Sequence, residues 1–166
     1  DISLAGVSPG AYGVHVTSDR AVGAAVRLVR SGGEYPARSG ALVHDVGWIQ
    51  AQDSQATVSG ALTLPAGGMT STLTISNSGA AAAAIAIAAA DGSWSQEVGV
   101  PAGSTVAPEL PAGMSALTLR GAEGASVAAA AVVTAEVGGD VPGTLIAVVP
   151  PVSDAAVADA LSLLPR

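Results

Sequence analysis

Two histidines, His15 and His44, each have an aspartate close by in the sequence, Asp19 and Asp45 respectively. Joined in space, His15, His44 and Asp45 would form a three-residue metal set, and either His with an Asp and a Ser would supply the parts of a hydrolytic triad. Strand geometry argues against both. Neighbouring residues on a strand point to opposite faces, so His44 and Asp45 cannot chelate together without a bulge. A solvent-side His15, opposite the apolar residues Tyr12, Val14 and Val16, is the simpler account. Catalytic, metal and cofactor-binding residues are therefore all expected to be absent.

The carboxylates are dispersed, and Asp19, Asp91 and Asp140 fall in turn-forming stretches. Asp91-Gly-Ser has the start of a Ca²⁺ loop, but a single Asp falls short of the six to eight oxygens such a site collects; a turn is expected. Gly32-Gly33 and Gly138-Gly139 lack the Lys-Ser/Thr and the helix that a phosphate loop needs.

The aromatic residues are so few that each one counts: Tyr12, Tyr35, Trp48 and Trp94, with no Phe. Exposed, these four would form flat platforms on which sugar rings stack. Buried, Trp48 and Trp94 would be the largest fillers available to a core without Phe. The core role is favoured for at least one Trp. Ala-rich strand faces offer another surface. Left uncovered, a flat small-residue face permits close approach of another chain; covered, it simply packs two sheets together.

Charge excludes some partners. The net charge is −7, and all six basic residues are Arg (Arg20, Arg27, Arg30, Arg38, Arg120, Arg166), with no dense cluster. Phosphate neutralisation and docking on anionic lipid both need basic patches, so neither nucleic acid nor membrane surface is an expected partner. The absence of Cys removes disulfides, thiolate metal sites and Cys nucleophiles together. No basic and apolar leader pattern is visible. The longest apolar runs, Ala80–Ala90 and Val127–Val133, fall short of the ~20 residues that span a bilayer, so the visible chain is expected to be soluble.

These side chains must be positioned by short elements. Tyr12–Thr17, Val22–Val29, Leu42–Ile49, Ala61–Leu64, Ser71–Ser76, Ala83–Ala89, Trp94–Val100, Thr105–Leu110, Ala116–Arg120, Val127–Val137 and Thr144–Val149 alternate with a period of two or read as short apolar runs. Between them stand turn clusters: Asn77-Ser-Gly79 and Asp91-Gly92, which tolerate positive φ, and Pro101-Ala-Gly103 and Pro111-Ala-Gly113. A helix over Gly79–Ala90 is the rival reading for the Ala run, but Ile85 and Ile87 stand at strand spacing. In the tail, Val157, Leu161 and Leu164 share one helical face after a capping Ser153 or Asp154.

The pattern predicts an all-β antiparallel β-sandwich of immunoglobulin/fibronectin-like repeats. A repeat is visible: Pro9–Val16 followed by Ala21–Val29 resembles Pro111–Leu119 followed by Ser126–Val133, so the chain reads as one and a half repeats. The expected units are an N-terminal partial repeat over 1–58, a full repeat over 59–152, and a tail or short helix over 153–166.

Leu73-Thr-Ile-Ser-Asn-Ser-Gly79, the Ala/Ile run to Asp91-Gly92, and Val98-Gly-Val-Pro-Ala-Gly-Ser-Thr105 resemble repeats of secreted bacterial β-sandwich proteins. Together with Ser18-Asp-Arg-Ala-Val-Gly-Ala-Ala25 and the Ala-rich, Lys-free composition, the chain is similar to an actinobacterial secreted or envelope-anchored β-sandwich family of unknown function. The resemblance covers most of residues 9–150 and brings no catalytic residues with it. It implies a non-enzymatic, extracytoplasmic structural or protein-interaction module of the cell envelope, secreted or anchored to the membrane through a segment outside this chain, with another envelope protein as partner. The alternative is a glycan-binding module for the cell wall, built on the Trp and Tyr platforms.

Overall fold

Residues that alternate between apolar and polar bury one face of a strand and wet the other, and the structure follows that alternation through most of its length. The computed structural model describes Ser3 and residues 6–34, 42–52, 58–137 and 143–153. Among these residues the protein is all-β, with eleven strands and no helix. They are β1 (Ala25–Glu34), β2 (Leu42–Gln50), β3 (Ser59–Thr63), β4 (Met69–Asn77), β5 (Ala83–Ala89), β6 (Ser95–Val100), β7 (Thr105–Val106), β8 (Ala116–Gly121), β9 (Val127–Val137), β10 (Gly143–Val149) and β11 (Val152–Ser153).

Every strand pairing is antiparallel. One sheet has the order β10-β9-β4-β7, a second the order β11-β3-β8-β5-β6, and β1 and β2 form a hairpin of their own. The inward residues of the two larger sheets make one hydrophobic cluster. Leu73 and Ile75 from β4 and Val127, Ala129 and Ala131 from β9 come from the first sheet. Leu62, Ile85, Ile87, Val100, Leu117 and Leu119 come from the second. Among the described residues no aromatic ring is fully buried in this core, and the small residues of β9 are matched by the Leu and Ile of β3, β5 and β8. Each fully buried Leu or Ile stabilises the fold by roughly 1.5–3 kcal/mol.

The Ala run over residues 83–89 is a strand with Ala83, Ile85, Ile87 and Ala89 buried, so the period-two reading prevails over the helix. The Pro-Ala-Gly clusters close four-residue turns in which the Ser104 and Met114 amides donate to Pro101 O and Pro111 O, at 3.2 and 3.4 Å. Gly103 and Gly113 take positive φ there, where a side chain would be strained.

Three expectations fail. Tyr12–Thr17 is not a strand: it has no ladder partner among the described residues, and Tyr12, Val14 and Val16 are all exposed. It lies instead across the outer face of β4 and β7, where a Cβ on Gly13 would stand 2.6 Å from Ser76 Oγ and 2.7 Å from Thr105 Oγ1. Those two hydroxyls bond each other at 2.9 Å, and a side chain at residue 13 would have to push them aside. The strand expected over Thr105–Leu110 ends at Val106. The tight hairpin expected at Asn77-Ser-Gly79 is not formed: none of the three takes positive φ, and the stretch links β4 to β5 in the other sheet; the Asn77 side chain does something else. As for the tail, Val152–Ser153 is a strand rather than a helix start, and the expected helix over 154–166 lies outside the described residues.

Asn77 is the one buried polar residue among those described, at 3% exposure. Its Nδ2 donates to Ala81 O (2.8 Å), Val100 O (3.0 Å) and Pro101 O (3.3 Å), and its Oδ1 accepts the Gly79 N–H at 2.9 Å. One amide thereby ties the end of β4, the entry to β5, and the corner where the chain leaves β6 in one sheet for β7 in the other.

The β1–β2 hairpin packs on β10. Gly47 lies over Ile146 and Val148, with its Cβ position 3.6 Å from both side chains. Asp45 Oδ2 accepts the Ile146 N–H at 2.6 Å while its Oδ1 accepts the Val46 N–H at 2.9 Å. Gln52 Nε2 donates to Ala129 O at 2.8 Å.

Asn77→Ala should lower unfolding free energy by about 2–3 kcal/mol, because buried carbonyls and the Gly79 amide lose their partner. Urea denaturation measures this, with the m-value unchanged. In Asn77→Asp an ionised carboxylate would face the Val100 and Pro101 carbonyls, raising its folded pKa. That variant's deficit should be smallest in acid and should grow as pH rises through the folded pKa.

Candidate interaction surface

Among the described residues the groups that could do chemistry do not converge. His15 is exposed on the extended segment before β1, and His44 is exposed on β2. No set of three or more His, Asp, Glu or Cys able to hold a metal occurs among the described residues. His44 Nδ1 stands 3.0 Å from Ser31 Oγ, its cross-strand neighbour. Two parts of a Ser-His pair are thus present, but Asp45 projects from the other face of β2 and is occupied by the Ile146 and Val46 amides. Among the described residues nothing is placed to complete a triad around His44.

One serine spacing escapes a reading that starts from the histidines. Gly6-Val7-Ser8-Pro9-Gly10 has the Gly-x-Ser-x-Gly form of a nucleophile elbow. It sits in an irregular segment rather than on a strand-to-helix turn, and Ser8 is followed by Pro9, which has no N–H to offer an oxyanion hole. Ser8 O instead accepts the Tyr12 hydroxyl at 2.7 Å.

Asp91 closes its own turn. Its Oδ1 accepts the Ser93 hydroxyl at 2.6 Å and the Ser93 amide at 2.9 Å. The Ser93 side chain, then its amide, hold the carboxyl below its ordinary pKa.

The aromatic residues are spread over the molecule. Trp94 is half-buried, packs against the core cluster, and lines a shallow cleft of about 260 Å³ between the Asp91–Trp94 and Pro111–Ser115 turns. Tyr12 is exposed on the extended segment. Tyr35 lies outside the described residues.

Trp48 is 56% exposed and belongs to a row on the outer face of the β1–β2 hairpin. There Arg27 stands opposite Trp48, Val29 opposite Val46, and Ser31 opposite His44. The Ala51 N–H donates to Ala24 O, so pairs two residues along from Ala24–Ala51 are the hydrogen-bonded ones. The Arg27–Trp48 and Val29–Val46 pairs fall between them, where cross-strand side chains come closest. With Val29 48% and Val46 41% exposed, an apolar strip stands open to solvent beside a cation.

A model of a family described as being of unknown function, DUF5719, matches residues 1–111. No curated protein and no solved structure matches the chain.

The two tryptophans should separate in a stability measurement. Trp48→Ala should stay within about 0.5 kcal/mol of the wild type, as surface changes do. Trp94→Ala should cost about 2 kcal/mol, less than removing a fully buried aromatic. At the Asp91 turn, Ser93→Ala should raise the Asp91 pKa toward ordinary carboxylate values, followed by NMR titration of the carboxyl. A depressed folded pKa contributes stability above the ordinary pKa and loses it as pH falls through the folded one, so the variant should differ from wild type at neutral pH and converge with it in acid.

Proposed function

The chain belongs to DUF5719, a family of unknown function, and on that footing we propose that it is a non-enzymatic structural or protein-interaction module of the bacterial cell envelope, displayed outside the membrane. The observation that carries this reading is the strip Val29, Val46 and Trp48 on the outer face of the β1–β2 hairpin. Soluble domains seldom leave contiguous apolar surface uncovered unless something docks there. The extracytoplasmic, actinobacterial setting rests on the resemblance in sequence; a Cys-free, acidic chain is compatible with it.

In the same reading the two larger sheets are an immunoglobulin-like sandwich with its end strands exchanged. With β3 to β9 taken as strands A to G, the B–E and C–F pairs of that fold correspond to β4–β7 and β5–β8. The first strand pairs with F and the last with B, the reverse of the immunoglobulin arrangement.

The second reading is a glycan-binding module. Trp48 favours it, since an exposed indole beside Arg27 is the kind of platform on which a sugar ring stacks. The test is direct. A photo-crosslinking residue at Val46 should capture envelope protein in intact cells, and the purified chain should not be retained on cell-wall polysaccharide. Retention that Trp48→Ala abolishes would replace the protein-interaction reading by the glycan one, and crosslinks to cytoplasmic proteins alone would remove the envelope from it.

A further inference from the structure

β5 and β8 are neighbours in the second sheet, so the turn that leaves β5 and the turn that enters β8 meet at one end of it. The Ala90 N–H donates to Ala116 O at 3.1 Å and staples the two together. Between them lies the cleft of about 260 Å³, at the other end of β5 from Asn77. Small residues open it, since Ala90, Ala112, Gly113 and Ala116 bring no more than a methyl group each. Trp94 and Met114 line it and rest on the hydrophobic core, so an indole and a thioether are held there by packing.

What the cleft can hold follows from its polar groups. Among the described residues Asp91 is the only charged one that lines it, and no basic side chain does. Ser93 gives its O–H and its N–H to Asp91 Oδ1, at 2.6 and 2.9 Å, which leaves Oδ2 to face a ligand. The hydroxyl first and the amide second hold that carboxyl below its ordinary pKa, so it is ionised at neutral pH. Neighbouring donors are spent within the turns: the Ala89 N–H goes to Trp94 O at 2.8 Å and the Met114 N–H to Pro111 O at 3.4 Å. An anion would meet no basic group here.

We propose that this cleft binds a quaternary ammonium group, with the Asp91 carboxylate as its counter-ion and Trp94 and Met114 as its apolar walls. A fixed carboxylate beside an indole and a polarisable thioether suits a cation with apolar substituents. A primary ammonium is strongly hydrated and gains little by leaving water for so open a site. Methyl groups around the charge remove that hydration and let the cation lie against Trp94 and Met114. Size agrees, because the volume is at the small end of ligand sites, roughly 300–1,000 Å³, and takes a headgroup rather than a long chain. The net charge of −7 favours the approach of any cation. This site is separate from the strip on the β1–β2 hairpin and goes beyond the interaction reading, so either can fail alone.

The probe is choline added to the full chain, followed by NMR of the amide and indole N–H groups. The Trp94 indole and the Ser93 and Met114 amides should shift and saturate, with a dissociation constant on the order of 1–10 mM. Trp48 is the internal control: it is the more exposed indole but stands opposite Arg27, and its resonance should not move. Asp91→Asn keeps an oxygen for Ser93 to bond and should weaken binding about tenfold by removing the charge. If that variant loses its turn, the uncharged tert-butyl analogue of choline tests the charge on the wild-type chain, and it should bind at least about tenfold more weakly. Equal shifts from that analogue, parallel shifts at Trp48, a drift at Trp94 that never saturates, or displacement of choline by N-acetylglucosamine would each overturn the proposal. Phosphatidylcholine vesicles separate the sources of the group: retention of the chain on them marks a lipid headgroup, and its absence with choline still bound marks a free solute.

Discussion

The Asn77 amide holds the place where the chain must change sheets. A strand that finishes in one sheet and resumes in the other leaves carbonyls at the corner with no ladder to join, and a buried carbonyl without a donor is costly. Asn77 adds a donor there, to Val100 O and to Pro101 O, which also accepts the Ser104 N–H, and at the same time reaches Ala81, so the end of β4, the start of β5 and the β6–β7 corner are tied by one side chain. Gly79 belongs to the same device, since its Cβ position is 3.0 Å from Asn77 Oδ1 and its amide is bonded to that atom. The alignment of the two sheets over their shared core depends on this corner.

Around it, residue size sets the spacing of the layers. β9 presents Val127, Ala129 and Ala131 to the core and the buried Ala130 to its other side. Leu and Ile from the facing sheet fill the room this leaves. The hairpin follows the same logic on the outer side, where Gly47 lets β2 approach β10 and Asp45 and Gln52 satisfy backbone groups that the neighbouring ladders leave unpaired.

Much of this was legible from the sequence. Ile85 and Ile87 at a spacing of two override the helix propensity of the surrounding Ala, because a strand buries both and a helix would splay them. The Pro-Ala-Gly turns follow from ring and glycine constraints that act locally. Tyr12–Thr17 was not legible, because alternation reports which way side chains point and says nothing of whether an edge is available to pair; here the segment meets a sheet face at Gly13. Asn77 was misread for a related reason. Asn-Ser-Gly is a turn signal when only local chemistry is considered, whereas its role is set by carbonyls 23 and 24 residues away. At the candidate surface, the sequence supplied Trp48 as a platform residue but not its company, since Arg27, Val29 and Val46 join it only through the hairpin register.

Among the described residues no ring is fully buried in the core, and this has a thermal consequence. The increase in heat capacity on unfolding scales with the apolar area that meets water, and Ala and Val bring less of that area per residue than Phe or Trp would. A core built from β9's alanines against Leu and Ile should therefore give a shallow dependence of stability on temperature. Such a stability curve would change little between cold and warm surroundings and would put cold denaturation at a lower temperature.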